Sequence, residues 1–250
     1  MRGELLSGRL AVITGGSMGI GEAITERFLA EGARLIVVGR DQARLSAIAE
    51  RLGEGRVHSI AGDVGDGATA DAALALANAL GGCDVLVNNA GIFPAAALAD
   101  IDSATAEEIM RVNFLGVFHF CKAFVPAMVA RGKGSVVNVT SMAARTPTPG
   151  LSVYAASKGA VEAFSRAIAA EVAPAVRVNC LAPGPTRTET VIAMEKTDQT
   201  GAVAEVTKAI PMARYGECQE IAEGALYLAG DQSSWMTGQT LHINGGVMMA

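Results

Sequence analysis

The chain has 250 residues, half of them hydrophobic, with 18% charged, 4% aromatic and 29 glycines, which suits one large α/β domain with a closely packed core and excludes a disordered chain. A net charge of −5 without any Lys/Arg run argues against nucleic acid or an anionic membrane surface as partner. Cys83, Cys121, Cys180 and Cys218 are far apart and form no Cys-x-x-Cys, so they read as buried free thiols of a reducing compartment rather than a disulfide framework or a metal site.

No apolar signal region opens the sequence, and no apolar run reaches the roughly 18 residues of a membrane span. A soluble, cytoplasmic protein is expected. Leu10-Ala11-Val12-Ile13 reads as a buried parallel strand and runs into Thr14-Gly15-Gly16-Ser17-Met18-Gly19-Ile20-Gly21, followed by a helical pattern to Gly32. Strand, glycine-rich turn and helix make a phosphate site, because backbone without Cβ approaches a pyrophosphate and the helix N-terminus presents free N–H groups. The second strand, Arg34 to Gly39, ends on Arg40, where NAD-binding chains carry an acidic residue for the ribose hydroxyl. A guanidinium there binds a 2′-phosphate, so NADP(H) is favoured, with NAD(H) still possible.

Asp41 to Leu52 reads as a helix capped by Asp41. A third strand over residues 57–61 precedes Gly62-Asp63-Val64, where the Asp63 carboxylate either accepts from an adenine amino group or caps the helix that starts near Asp66. The fourth strand, Val85-Leu86-Val87, ends in Asn88-Asn89-Ala90-Gly91, a turn in which amides bind backbone and backbone borders a cofactor. Residues 105–130 read as one long helix, kinked by Pro126. Within it, Asn113 is either a structural amide or part of a polar relay, and His119 is a structural residue.

A fifth strand, Ser135 to Thr140, leads to Ser141. On the next helix, residues 153–172, Tyr154 and Lys158 lie one turn apart on one face. A phenol with a reference pKa of about 10 is a poor acid or base near neutrality, and a neighbouring ammonium favours its ionised form. Such a pair suits proton transfer to a carbonyl oxygen or from an alcohol. A sixth strand, residues 175–181, precedes Pro183-Gly184-Pro185-Thr186-Arg187-Thr188. The stretch from Thr188 to about Ile210 has no strong period and fits a mobile segment, 188–212, covering the substrate. A helix over residues 217–229 and a final strand over residues 240–243 complete the alternation of a doubly wound, Rossmann-type, mainly seven-stranded parallel sheet with helices on both faces in a single domain.

In order, Thr14-Gly15-x-x-x-Gly19-x-Gly21, Asp63-Val64, Asn88-Asn89-Ala90-Gly91, Asn113, Ser141, Tyr154-x-x-x-Lys158 and Pro183-Gly184-x-x-x-Thr188 resemble the short-chain dehydrogenase/reductase family over nearly the whole chain. The resemblance implies a catalytic set of Asn113, Ser141, Tyr154 and Lys158. Ser141 would bind the substrate oxygen and Tyr154 would act as general acid or base. Lys158 would bind the nicotinamide ribose and lower the tyrosine pKa, with Asn113 holding a water beside it. Cofactor contacts would come from Gly15, Ser17, Met18, Gly19, Ile20, Gly21, Arg40, Asp63, Val64, Asn89, Ala90, Gly91, Tyr154, Lys158, Pro183, Gly184, Thr186 and Thr188. No metal is implied. The implied activity is hydride transfer between a nicotinamide and a small carbonyl or secondary alcohol, by a 3-oxoacyl-thioester reductase or a polyol, sugar or hydroxysteroid dehydrogenase, in a homotetramer. Asn244 and Thr186 depart from the family pattern. A nucleotide-sensing or scaffolding protein of the same fold is the competing reading, and it would show damage in the catalytic set.

Overall fold

The apolar runs form strands because Val, Ile and Leu alternate into cores on both sides. In this computed structural model, which describes residues 4–53, 55–198 and 201–249, β1 is Leu10–Thr14, β2 Arg34–Gly39, β3 Val57–Ala61, β4 Val85–Asn88, β5 Gly134–Val139, β6 Val176–Pro183 and β7 Thr240–Ile243. They form one parallel sheet of order β3-β2-β1-β4-β5-β6-β7. Ala11, Ile13, Leu35, Val37 and Val137 face the core under α1 (Gly19–Ala30) and α9 (Cys218–Ala229). The intervening Leu10, Val12, Ile36, Val38 and Val136 face the opposite core, under α3 (Gly67–Ala79), α5 (Gly116–Ala130) and α6 (Ser152–Val172). This is the period of two expected of a sheet covered on both faces.

Local chemistry sets the helix starts. Asp41 caps α2 (Gln42–Leu52) by accepting from Arg44 N at 3.1 Å. Asp66, not Asp63, caps α3, accepting from Ala68 N at 3.0 Å. All four cysteines are buried and free.

Two stretches differ from the sequence reading. The long helix is α4 (Ser103–Met110), a π turn over Arg111–Leu115 and α5, with Asn113 inside the π turn. Such a turn holds an extra residue and re-aims its side chains, and it often marks a functional site. Residues 103–130 are also long and apolar enough to cross a membrane, contrary to the reading of the sequence. Half of that apolar stretch is buried inside the fold, where Phe120, Phe124 and Met128 join the core, as in the core helix of a globular domain. The 188–210 stretch contains two short helices, α7 (Glu189–Thr197) and α8 (Ala202–Ala209).

Strand order reverses direction between β1 and β4. Register puts Thr14 beside both Val38 and Asn88, and Asn88 beside Asn138, so the loops at the carboxyl ends open along one edge. A crevice at this switch point is where open α/β sheets bind ligands.

Candidate active site

The floor of the crevice is the β1–α1 turn. Gly15 takes φ +63°, and its N–H donates to Val38 O at 2.7 Å. A Cβ on Gly21 would fall 2.0 Å from Gly15 O and 2.5 Å from Asn89 Nδ2, so only glycine fits. Thr14 Oγ1 accepts from Asn89 N at 3.0 Å and Ala90 N at 3.1 Å, while Asn89 Nδ2 donates to Thr14 O at 3.1 Å and Gly15 O at 3.2 Å. The β4 loop is thereby locked to the β1 turn. α1 starts without a side-chain cap at Met18, so its first N–H groups face the crevice with the positive end of the helix dipole. Ser17, Met18, Gly19 and Ile20 are all at least partly exposed there. Thr188, which caps α7, stands over Gly19 within van der Waals reach. A bare turn and an uncapped helix start fit a pyrophosphate.

Arg40 is exposed at the end of β2. Asp63 accepts from Gly65 N at 2.8 Å and from Arg111 Nη2 at 2.7 Å, and Val64 fills the space that Gly116 leaves bare. At the other end of the crevice, Gly184 lies against Asn244, whose Cα would be 2.6 Å from an added Cβ. Thr186 Oγ1 donates to Gly184 O at 2.9 Å, fixing the turn after Pro183. Asn244 Oδ1 accepts from Gly246 N at 2.9 Å. Both departures from the family pattern thus serve turns.

Ser141 follows β5 and starts a single 3-10 turn, Met142–Ala144, by accepting from Ala143 N at 3.1 Å. Tyr154 lies in the first turn of α6, with the Phe93 ring edge-on at 6.2 Å. Lys158, one turn on, is buried; its Nζ lies 5.8 Å from the Tyr154 ring centre and donates to Val139 O at 3.0 Å. Asn113 reaches the same point from the π turn. Its Oδ1 accepts from Ile92 N at 2.8 Å, and its Nδ2 donates to Ile92 O at 2.9 Å and Ser157 Oγ at 3.1 Å. A Cβ on Gly91 would lie 3.2 Å from Asn113 Oδ1 and 3.3 Å from Lys158 Nζ. The four side chains named from the sequence therefore gather at the ends of β4 and β5.

A family model described as enoyl-(acyl carrier protein) reductase matches residues 15–248. The chain is 42% identical over 245 residues to galactitol 2-dehydrogenase (L-tagatose-forming) of Cereibacter sphaeroides, covering 96% of this chain and 95% of that one. It is 35% identical over 246 residues to 3-oxoacyl-[acyl-carrier-protein] reductase FabG of Vibrio cholerae, covering 98% and 99%. A crystal structure from Brucella melitensis titled short-chain dehydrogenase/reductase SDR:Glucose/ribitol dehydrogenase superposes with a TM-score of 0.92 at 35% identity over all of both chains. The chain belongs to the short-chain dehydrogenase/reductase family. It is an NAD(P)-dependent oxidoreductase acting on CH–OH donors.

One electrostatic expectation for this dehydrogenase/reductase is corrected. Burial raises the Tyr154 pKa above the usual phenol value, opposed by the Ser141 hydroxyl, whereas the sequence leads one to expect a lowering by Lys158. Lys158 is perturbed as well. Burial depresses its own pKa to about 8, and its ammonium points at the Val139 carbonyl from beneath the ring. Between pH 8 and 10.5 the unfolded chain binds a proton at Lys158 that the folded chain has released, so this group's contribution to stability rises with pH across that window. Relative to Lys158→Met, the wild type should gain up to about 3 kcal/mol between neutral pH and about pH 10, measured by urea unfolding. The buried Cys83 and Cys121, pushed up to about 12, act oppositely in both proteins and cancel in the difference. A difference that does not vary with pH would contradict a buried, depressed ammonium.

Several site residues escaped the sequence reading. Ser157 Oγ donates to Tyr154 O at 2.7 Å and accepts from Asn113, linking the two. Arg44 of α2 pairs with Glu189 of α7 at 3.1 Å, across the mouth of the crevice. Arg111 holds Asp63. These partners are 145 and 48 residues apart in the chain, and no local motif announces them. Among the described residues, no group of His, Cys, Asp and Glu gathers to hold a metal ion.

Proposed function

We propose that this chain is an NADP(H)-preferring dehydrogenase/reductase of small, uncharged secondary alcohols and ketones, with Tyr154 as general acid and base. The convergence of Ser141, Tyr154 and Lys158 beside the β1–α1 turn carries the reading. Gly15, Ser17, Met18, Gly19, Ile20 and Gly21 would hold the pyrophosphate, Arg40 a 2′-phosphate, and Asp63 with Val64 the adenine. Asn89, Ala90, Gly91, Pro183, Gly184, Thr186 and Thr188 would line the path to the nicotinamide, whose ribose meets Lys158. When bound, the nicotinamide supplies or accepts the hydride. Ser141 orients the substrate oxygen, and the Tyr154 hydroxyl gives that oxygen a proton in reduction or removes one in oxidation. With its pKa raised, Tyr154 stays protonated through neutral pH, ready as the acid for carbonyl reduction.

Charge favours a neutral substrate. Residues 187–208 carry four carboxylates and three cations, and Arg187 and Lys208 are paired with Glu195 and Glu205. That balance does not select a strongly anionic carrier. The loop after β4 joins the loop before α6 through Ala96 N to Gly150 O at 3.0 Å, and the mainly small or apolar residues from Phe93 to Ala96 and from Met142 to Thr148 would wall the substrate pocket. α7 and α8 would close over it. The polyol named for the relative at 42% identity is thus the first substrate class to test, and the 3-oxoacyl thioester of the FabG relatives the second. A homotetramer in the cytoplasm is the assembly and location this reading carries.

A panel of polyols, ketoses and acetoacetyl thioesters, followed by absorbance of reduced nicotinamide with either cofactor, tests the reading. No turnover of any of them would count against it. Arg40→Ala should raise KM for NADPH about tenfold and leave KM for NADH within about twofold, as loss of a charge-assisted phosphate contact requires. Equal changes for both cofactors would remove Arg40 from the 2′-phosphate.

A further inference from the structure

The π turn grips two loops of the crevice at once. From its first residue, Arg111 reaches back to the loop after β3. Nη2 donates to Asp63 Oδ2 at 2.7 Å and to Glu108 Oε1 at 2.8 Å, and Nε donates to Glu108 Oε2 at 2.6 Å. Two residues on, Asn113 clasps Ile92 in the loop after β4 with both ends of its amide. The fit at Arg111 is close: a Cβ on Gly65 would fall 2.1 Å from Arg111 Nη1, so the guanidinium lies on bare backbone. Gly65 N then donates to the other Asp63 oxygen at 2.8 Å. One fixed donor on each oxygen sets the plane of the Asp63 carboxylate, and each oxygen keeps a further lone pair for an incoming N–H.

Stability is not what this arrangement serves. The Arg111 and Asp63 side chains are 35% and 33% exposed, and ion pairs open to water contribute little to folding. Orientation is the larger effect, because a carboxylate free to rotate pays entropy each time it meets a planar amino group.

We propose that Arg111 is a positioning residue for the adenine half of the cofactor. It aims Asp63 at the adenine amino group from the same turn that carries Asn113. This rests on the reading of Asp63 as the adenine acceptor. Asn113 has its own anchors on Ile92 and Ser157, so loss of the Arg111 side chain leaves the nicotinamide end in place. The effect therefore falls on cofactor affinity and not on turnover at saturation.

Full-length Arg111→Met, Arg111→Lys and Asp63→Ala are titrated with NADPH and, separately, with reduced nicotinamide mononucleotide, which has no adenosine. Binding is read by nicotinamide fluorescence. Arg111→Met is expected to raise Kd for NADPH about tenfold, the scale of one charge-assisted hydrogen bond, and to leave Kd for the mononucleotide within about twofold. Arg111→Lys, which keeps the charge but not the fork, falls between wild type and Arg111→Met, and is read in the same way if the Met variant does not fold. An unchanged NADPH Kd in the Arg111 variants, or equal losses for both ligands, overturns the proposal. If Asp63→Ala weakens NADPH and the Arg111 variants do not, the inference about Arg111 fails alone. If Asp63→Ala also leaves NADPH binding unchanged, the assignment of Asp63 fails with it.

Discussion

Tyr154→Phe is expected to lower kcat by about 10²- to 10⁴-fold, the range over which a positioned acid or base contributes, while the Kd for NADPH stays within about twofold. The substitution removes one oxygen and keeps the ring. Its edge-on contact with Phe93 remains, as does the ring face above Lys158. Steady-state kinetics on whichever substrate the panel identifies, with a parallel cofactor titration, make the comparison. Residual activity near that of the wild type would assign the proton to another group. The same oxygen fixes the pH behaviour. Because burial holds its pKa above that of a free phenol, reduction should stay level through neutral pH, and oxidation should climb toward alkaline pH as the phenol ionises.

The second large effect concerns the turn proposed to carry the cofactor. Gly21→Ala places a methyl 2.0 Å from the Gly15 carbonyl oxygen and 2.5 Å from Asn89 Nδ2. Neither neighbour is a free side-chain end. One is backbone in the turn itself, and the other is an amide held by two carbonyls at 3.1 and 3.2 Å. Relief requires the turn to move away from the β4 loop, which opens the surface proposed for the pyrophosphate. NADPH affinity should fall by about 100-fold or more, with about 1–3 kcal/mol lost from unfolding stability, the cost of forcing atoms into a packed site. Titration and thermal unfolding measure the two. Unaltered cofactor affinity would show that the turn does not carry the pyrophosphate.

Much of this was legible in the chain. Buried strands announce themselves as short runs of branched apolar residues between glycines and polar turns, and their alternation with helices fixes the sheet type. Asp41 and Asp66 mark helix starts because a carboxylate satisfies N–H groups within three residues of itself, a local effect. Ser141, Tyr154 and Lys158 were readable because strand end and helix start bring them together by short-range geometry. The π turn was not, since one inserted residue between Arg111 and Leu115 leaves the apolar pattern nearly intact. Nor was the Arg111–Asp63 contact, which depends on two loops folding beside each other. The direction of the tyrosine's pKa shift was not legible for the same reason: sequence spacing brings Lys158 near the ring but reveals the burial of neither Tyr154 nor Lys158. Over residues 188–210 no period was legible because α7 and α8 span only 9 and 8 residues each.

In the proposed function, one crevice seats the dinucleotide on the α1 start and brings its reactive ring beside Tyr154, Ser141 and Lys158. A crystal structure with NADP+ bound tests this most directly. The pyrophosphate is expected against Gly19, Ile20 and Gly21, the ribose at Lys158, and the nicotinamide between the Pro183–Gly184 turn and the Tyr154 hydroxyl. A cofactor seated elsewhere, or a nicotinamide turned away from Tyr154, would contradict it.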